Sequence, residues 1–314
     1  MYVFLLNLRK ESDMEKFILF TVIWIIGFNL NVGAETVDIP DANLRKLIEE
    51  ALEKPTDTPI TETEMLTITV LKAKPGNISD LAGIQFAKNL TELNLRLNNV
   101  SDISLLVDLT KLKVLVLDRN DISDLKPIAK LIELKELNLE NNPISDLTPL
   151  AGLTKLEELG LDDNEVSDLT PLVCLTELIK LDLDDNEVSD ITPLAKLTKL
   201  EELDLDGNDI TDASPLVGLT NLTYVNLEDN PLNQNSITTH IPAIKTNGAR
   251  VDFDSPTLRE DINKDGVVNI LDLVLVASQF GHACPNEADI NGDEVVNIQD
   301  LVLVAKAFTR NTEK

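Results

Sequence analysis

Residues 153–174 read LTKLEELGLDDNEVSDLTPLVC, and the fold is decided by this stretch. Leu153, Leu156, Leu159 and Leu161 are followed by Asn164 and then by Val166, Leu169 and Leu172. The same spacing restarts every 22 residues, with Leu109, Leu131, Leu175, Leu197 and Leu219 in the position of Leu153. Asn98, Asn120, Asn142, Asn186, Asn208 and Asn230 take the position of Asn164. The register reaches back to Ala87 and, weakly, to Met65, where Gly76 replaces the asparagine. A coil this short cannot bury its own apolar side, so repetition at a fixed period requires the coils to stack into a solenoid.

Within each coil the Leu-x-Leu pair predicts a short strand with alternating faces. The recurring asparagine falls in the following turn, where stacked amides can satisfy backbone groups that the bend leaves unpaired. Ser145-Asp146, Ser167-Asp168 and Thr211-Asp212 then offer caps for a short helical turn. Pro149, Pro171 and Pro215 come three residues after each aspartate, where a first turn has no use for their missing N–H.

This pattern resembles the short, 22-residue class of leucine-rich repeats in internalin-like bacterial surface proteins, over about residues 65–232. The resemblance implies an α/β repeat solenoid: a right-handed arc with a parallel sheet on its concave, protein-binding side. Residues 35–64, with the amphipathic Asn43–Leu52 stretch, are expected to form an amino-terminal helical cap, and residues 233–254 a carboxy-terminal one.

Composition narrows the partners. The chain has 314 residues, 55 acidic against 27 basic side chains and a net charge of −28. Nucleic acids and anionic lipids need Lys/Arg surfaces and are excluded as partners; a divalent cation or a basic protein face fits better. Two cysteines and two histidines supply no disulfide framework, and zinc sites or Ser–His–Asp triads start from a poor inventory. At the amino terminus, Met14-Glu15-Lys16 precedes an apolar run from Phe17 to Phe28, and Val32-Gly33-Ala34 follows. Residues 1–34 therefore read as a signal peptide starting at Met14, and the mature chain as exported, with no membrane insertion.

Strand alternation sets the residues between the leucines on the concave face. One position holds Asp118, Glu140, Asp162, Asp184, Asp206 and Glu228 in six successive coils; Asp182 and Asp204 add a second row. Adjacent strands lie about 4.8 Å apart, so neighbouring like charges repel by about 1 kcal/mol in water and about 3 at an effective dielectric of 20. This ladder, with Tyr224 and the valines Val114 and Val116 as apolar contacts, reads either as a docking surface for a basic protein, cations or a glycan, or as a solubilising face inherited by duplication of an acidic founding repeat. A glycoside hydrolase using ladder carboxylates such as Asp182 or Asp204 is the enzymatic alternative, against which an open ladder without a pocket counts.

After Phe253 the period stops, residues 255–260 read as a linker, and two oxygen-rich loops follow 28 residues apart. Hard cations take six to eight oxygen ligands, and loop positions 1, 3, 5, 7, 9 and 12 supply them. In the first loop these are Asp261, Asn263, Asp265, the Val267 carbonyl, Asn269 and Asp272. In the second they are Asp289, Asn291, Asp293, the Val295 carbonyl, Asn297 and Asp300. The pair, over residues 261–309, is similar to a type I dockerin: two EF-hand-like loops, each followed by a helix. That resemblance implies two Ca²⁺ ions and a cohesin-like receptor in an extracellular, often polysaccharide-degrading, assembly. Glu294 replaces the sharp-turn glycine represented by Gly266, so the second site is expected to be weaker. Ile270-Leu271 and Ile298-Gln299 stand where cellulosomal dockerins often carry Ser-Thr, which marks a departure from the usual cohesin partner. A non-catalytic adaptor is the leading reading, and an adhesin whose calcium module only stiffens its terminus is the other alternative.

Overall fold

The computed structural model describes residues 35–254, 262–263, 268–280, 288–291 and 295–312, with side chains through Ala307. The leader and linker read from the sequence lie outside these residues, as do Asp261, Asp265, Val267, Asp293 and Cys284.

Nine parallel strands stack in chain order: β1 (Val70–Lys72), β2 (Glu92–Asn94), β3 (Val114–Val116), β4 (Glu136–Asn138), β5 (Glu158–Gly160), β6 (Lys180–Asp182), β7 (Glu202–Asp204), β8 (Tyr224–Leu227) and β9 (Arg250–Phe253). Through β8 the register is the sequence period itself, with Leu93 opposite Leu115, Leu137 opposite Leu159 and Leu181 opposite Leu203. Each coil then crosses to a 3₁₀ turn such as Thr148–Leu150 or Thr192–Lys196 and returns. The seven apolar residues of the 153–174 coil are all at most 1% exposed, and their equivalents fuse into one core running from cap to cap.

The asparagines hold the turns. Asn186 is buried; its Nδ2 donates to the carbonyls of Leu183, Asp184 and, one coil back, Leu161. Its Oδ1 accepts from Val166 N–H in that same preceding coil at 2.9 Å. Asn120, Asn142, Asn164 and Asn208 repeat this set of bonds. The residue before the asparagine is left-handed in successive coils: Asn141, Asp163, Asp185, Gly207 and Asp229 have φ of 47–60°. Asn, Asp and Gly tolerate that conformation best and hold it from Asn141 onward, whereas Leu97 and Arg119 take the same position at φ 55° in the earlier coils. The aspartates after the turn accept from the backbone two residues on, as Asp146 does from Thr148 and Asp168 from Thr170, at the start of each 3₁₀ turn.

Both ends are covered. Helix α1 (Ala42–Ala51) begins at Asp41, whose Oδ1 accepts from Asn43 and Leu44 while its Oδ2 accepts from Ser79 and so ties the cap to the first coils. Helix α2 (Glu62–Met65) starts in a Thr61–Glu64 capping box. At the other end a π-helical turn, Ser236–His240, runs into α3 (Ile241–Thr246), and β9 closes the sheet.

A separate, smaller core comprises Val268, Val276, Ala288, Ile290, Val296 and Val304, with helices α4 (Ile270–Ser278) and α5 (Ile298–Thr312) packed on each other. Among the described residues no helix is long and apolar enough to cross a membrane.

Replacing Asn186 by alanine leaves the buried Val166 N–H unpaired, at a cost of about 1–3 kcal/mol, while the Leu161, Leu183 and Asp184 carbonyls keep a second donor in Asn164, Asn208 and the Asp163 N–H. Urea unfolding should therefore show a loss of at least ~1 kcal/mol, and a loss under ~0.5 would contradict the role given to the ladder.

Candidate functional site

The sheet face and the loop pair are the two places where charged side chains are assembled. On the sheet face the expected acidic residues do fall in line: Asp182 pairs in register with Asp204, and Asp162, Asp184 and Asp206 follow in consecutive turns. They are half-buried rather than fully solvated. Burial first, then the facing charges of Asp182 and Glu140, push the Asp162 carboxyl up to about 6. Burial and then Asp162 and Asp185 raise Asp184 to about 6 as well. Asp182 and Asp206 are also raised, chiefly by burial. The row is not uniformly acidic, because Lys180 lies between Glu158 and Glu202 and pairs with Glu202 at 3.3 Å.

Asp118 departs from the rest. Only 1% of it is exposed, and Arg96 Nε faces its carboxylate at 3.0 Å from a neighbouring coil. Burial raises its pKa and Arg96 opposes the rise. It is therefore buried beneath the exposed Arg96 with which it pairs, and the expectation that it lies open for a partner is corrected. At the carboxy-terminal end Tyr224 is half-buried beneath Arg250, whose guanidinium lies 5.5 Å from the ring centre. Glu228 is exposed.

Strand alternation alone implies no relief on this face, yet a hollow of about 150 Å³ opens over Gly160. Glu136, Glu140, Glu158, Asp182 and Lys180 rim it. Its cause is the missing side chain: the equivalent strand position carries Asn138 in one neighbouring coil and Asp182 in the other. The expectation of a flat ladder without a pocket fails there. Among the described residues, no three Asp, Glu, His or Cys side chains converge as a metal cage.

In the loop pair, the last acidic residue of each loop sits in the same setting. Asp272 is fully buried; its Oδ1 accepts from Ile262 and Asn263 N–H and its Oδ2 from Asn269 N–H. Asp300 is fully buried too and accepts from Ile290, Asn291 and Asn297 in the same pattern. Each carboxylate thus straps the loop entrance to the start of the following helix. Asn269 and Asn297 cap those helices, accepting from Leu271 and Gln299 N–H at 2.8 and 2.7 Å, a role that the ligand spacing alone did not reveal. These oxygens are hard donors suited to a calcium ion, and a carboxylate held by three N–H groups is fixed in orientation. Asn263, Asp289, Asn291 and Val295 lie in the same loops. Outward-facing apolar side chains recur in equivalent places, Ile270 and Val274 on α4 and Ile298 and Val302 on α5.

Comparison with known proteins agrees with this division. A model described as leucine-rich repeats (2 copies) matches in overlapping pairs from residues 88–130 to 198–240, and one described as dockerin type I domain matches residues 259–309. An internalin (inlF) of Listeria monocytogenes is 33% identical with a TM-score of 0.67, over 71% of this chain and 66% of that one, just under two thirds of its length. Internalin C2 of the same organism is 34% identical with a TM-score of 0.64, over 68% of this chain and 94% of that one. A leucine-rich repeat protein of Leptospira interrogans is 26% identical with a TM-score of 0.56, over 62% of this chain and 51% of that one. No curated protein matches.

The raised carboxyls have a pH signature. Folding favours protonated Asp162 and Asp184, so their contribution is full below the ordinary value of 3.8 and is lost as pH rises towards about 6. Asp146, Asp168 and Asp190, lowered by their hydroxyl neighbours, titrate below that window. In urea melts the Asp184→Asn variant should lose less stability than the parent chain between about pH 4 and pH 7. Equal slopes for the two chains would contradict this.

Proposed function

The chain belongs to the internalin-like family of leucine-rich repeat proteins and carries a dockerin type I module, and from that premise we propose that it is an exported, non-catalytic adaptor. Its repeats bind a protein or glycan partner on the concave face, and its terminal module, loaded with calcium, attaches it to a cohesin-like receptor. The matched modules are binding modules, and none of them is an enzyme domain.

The observation that carries the attachment half is the twofold recurrence of a buried aspartate strapped by three backbone N–H groups, 28 residues apart. In this reading Asp261, Asn263, Asp265, the Val267 carbonyl, Asn269 and Asp272 hold one ion. Asp289, Asn291, Asp293, the Val295 carbonyl, Asn297 and Asp300 hold the other, with the weaker grip. Calcium supplies charge neutralisation for carboxylates gathered in each short loop and so couples metal binding to folding of the module. The paired apolar positions Ile270, Val274, Ile298 and Val302 then face the receptor, and their chemistry calls for an apolar receptor patch rather than a hydroxyl-reading one.

On the concave face, the half-buried carboxylates around the Gly160 hollow support a partner that brings Lys or Arg side chains, since each cation relieves repulsion already present there. Asp162, Asp182, Asp184, Asp204 and Asp206 form the centre of that surface, with Glu140, Glu228 and Tyr224 at its borders. A polysaccharide-degrading assembly is the setting this reading assigns to the attached chain, on the strength of the dockerin match alone.

Calorimetric titration of the metal-stripped full chain with Ca²⁺ should give two sites, the first tighter, and Asp272→Ala should remove one of them. Absence of heat from either loop would end the attachment half of the reading. Binding of a basic partner to the arc should weaken steeply between about 50 and 500 mM salt, and salt-independent binding would end the other half.

A further inference from the structure

The acidic character of the concave face begins only at β4. From β4 to β8 every coil places Asp or Glu on that face, with Lys180 as the one cation in its strand positions. Across β1–β3 the composition is different: Val70 and Val114 flank Glu92 in register, and Lys72 and Val116 flank Asn94. The carboxylates of this stretch are covered by cations. Asp118 is buried under Arg96, and the Glu92 side chain, 28% exposed, pairs with that of Lys72, 60% exposed. Lys74 stands out at 85% exposure, and the exposed Arg119 has no ion pair among the described residues. The charge that a partner meets on β1–β3 is therefore positive, opposite to that of the rest of the face.

Apolar side chains are exposed among these cations. Val70 is 42% and Leu97 38% exposed, and Val114 and Val116 are half-buried. Leu97 also holds the left-handed turn position, at φ 55°, which Asn, Asp or Gly fills from Asn141 onward. Its N–H donates to the Asp118 carbonyl and its own carbonyl accepts from Gly76, bonds that need no leucine side chain. The local backbone would be served better by asparagine, and so would solubility. Decay of an end repeat is no explanation for the valines, because Leu109, Leu112, Leu115, Leu117 and Asn120 of their coil are all in place and buried. An apolar group exposed at the expense of local conformation points to a contact still to be made.

On the reading of the acidic row as a protein-docking surface, we propose that the concave face takes a polypeptide segment whose charge changes sign along its length. An acidic part with aliphatic or aromatic side chains lies on β1–β3, and a basic part lies on β4–β8. The partner's carboxylates meet Lys72, Lys74, Arg96 and Arg119, while its apolar side chains meet Leu97 and the valines. Adjacent strands are about 4.8 Å apart, so β1 to β8 spans roughly 34 Å, the reach of about ten extended residues. A segment laid the other way sets like charge against like at both ends, so the two signs fix the direction in which the partner lies.

The test is calorimetry of the full chain with three synthetic peptides of about twelve residues. One has a Glu/Leu half followed by a Lys half, the second has the same composition with the charges alternating, and the third keeps the Lys half with Gly and Ser in the other. The block peptide should bind at least about tenfold tighter than the alternating one. Arg119→Glu should weaken the block peptide by at least about fivefold without weakening the Lys-half peptide, since it makes the chain more negative. A block peptide lying the other way would instead gain from that change. Leu97→Asn should raise the melting temperature, by relieving the left-handed turn, and should also weaken the block peptide. Equal affinity for block and alternating peptides, or block-peptide affinity undiminished by both variants, would overturn the proposal. The docking reading itself would survive that result if the Lys-half peptide binds, whereas no binding by any of the three peptides would end both.

Discussion

A turn that bends the chain back within a 22-residue coil leaves carbonyls and an N–H group pointing into a space that leucines fill, where water cannot serve them. One carboxamide per coil resolves this, because it donates to its own turn, donates to the preceding coil and accepts from it as well. Burial of seven apolar residues per coil supplies the driving force, but it is indifferent to register. The amide is not, since a slip of one residue would unmake its bonds to both coils at once. Registration of the strands, and with it the alignment of everything on the sheet face, descends from that constraint.

Once register is fixed, side-chain chemistry at a given offset adds up along the arc. Aspartates that would be innocuous singly become a row whose members raise one another's pKa, and burial by the close-set neighbours contributes even more than the charges do. The same addition works in reverse at interruptions. Lys180 neutralises one point of the row, Arg96 covers Asp118 from the solvent side, and Gly160 removes a side chain and leaves a hollow. A repeated scaffold thus acquires individuality where a coil departs from its consensus, and these departures are the places to look for function.

The sequence displayed the repetitive part of this molecule well. Leucine spacing announced the solenoid, the recurring asparagine announced the ladder, and aspartate at each turn announced the 3₁₀ starts, because each is a local requirement repeated many times. It concealed what depends on the relation between different coils. Asp118 looks like any other rung of the acidic row until Arg96 is seen beside it. Gly160 reads as a neutral substitution until its neighbours' side chains are placed. In the terminal loops, ligand spacing was plain, while the capping duty of Asn269 and Asn297 emerged only once the helices were in place.

The two halves of the chain solve the same problem with different means. The repeats satisfy inward-facing backbone groups with amides, and the terminal loops satisfy theirs with buried aspartate side chains, whose oxygens are the hard donors a calcium ion takes. The account of the whole as an adaptor rests on that difference. Its most direct test is calorimetry of the full chain against a panel of purified cohesin modules, in calcium and again in excess EGTA. The account predicts a saturable one-to-one complex with at least one module, lost in EGTA while the circular dichroism of the repeats is unchanged. A complex that survives the chelator, or none across the panel in calcium, would contradict it.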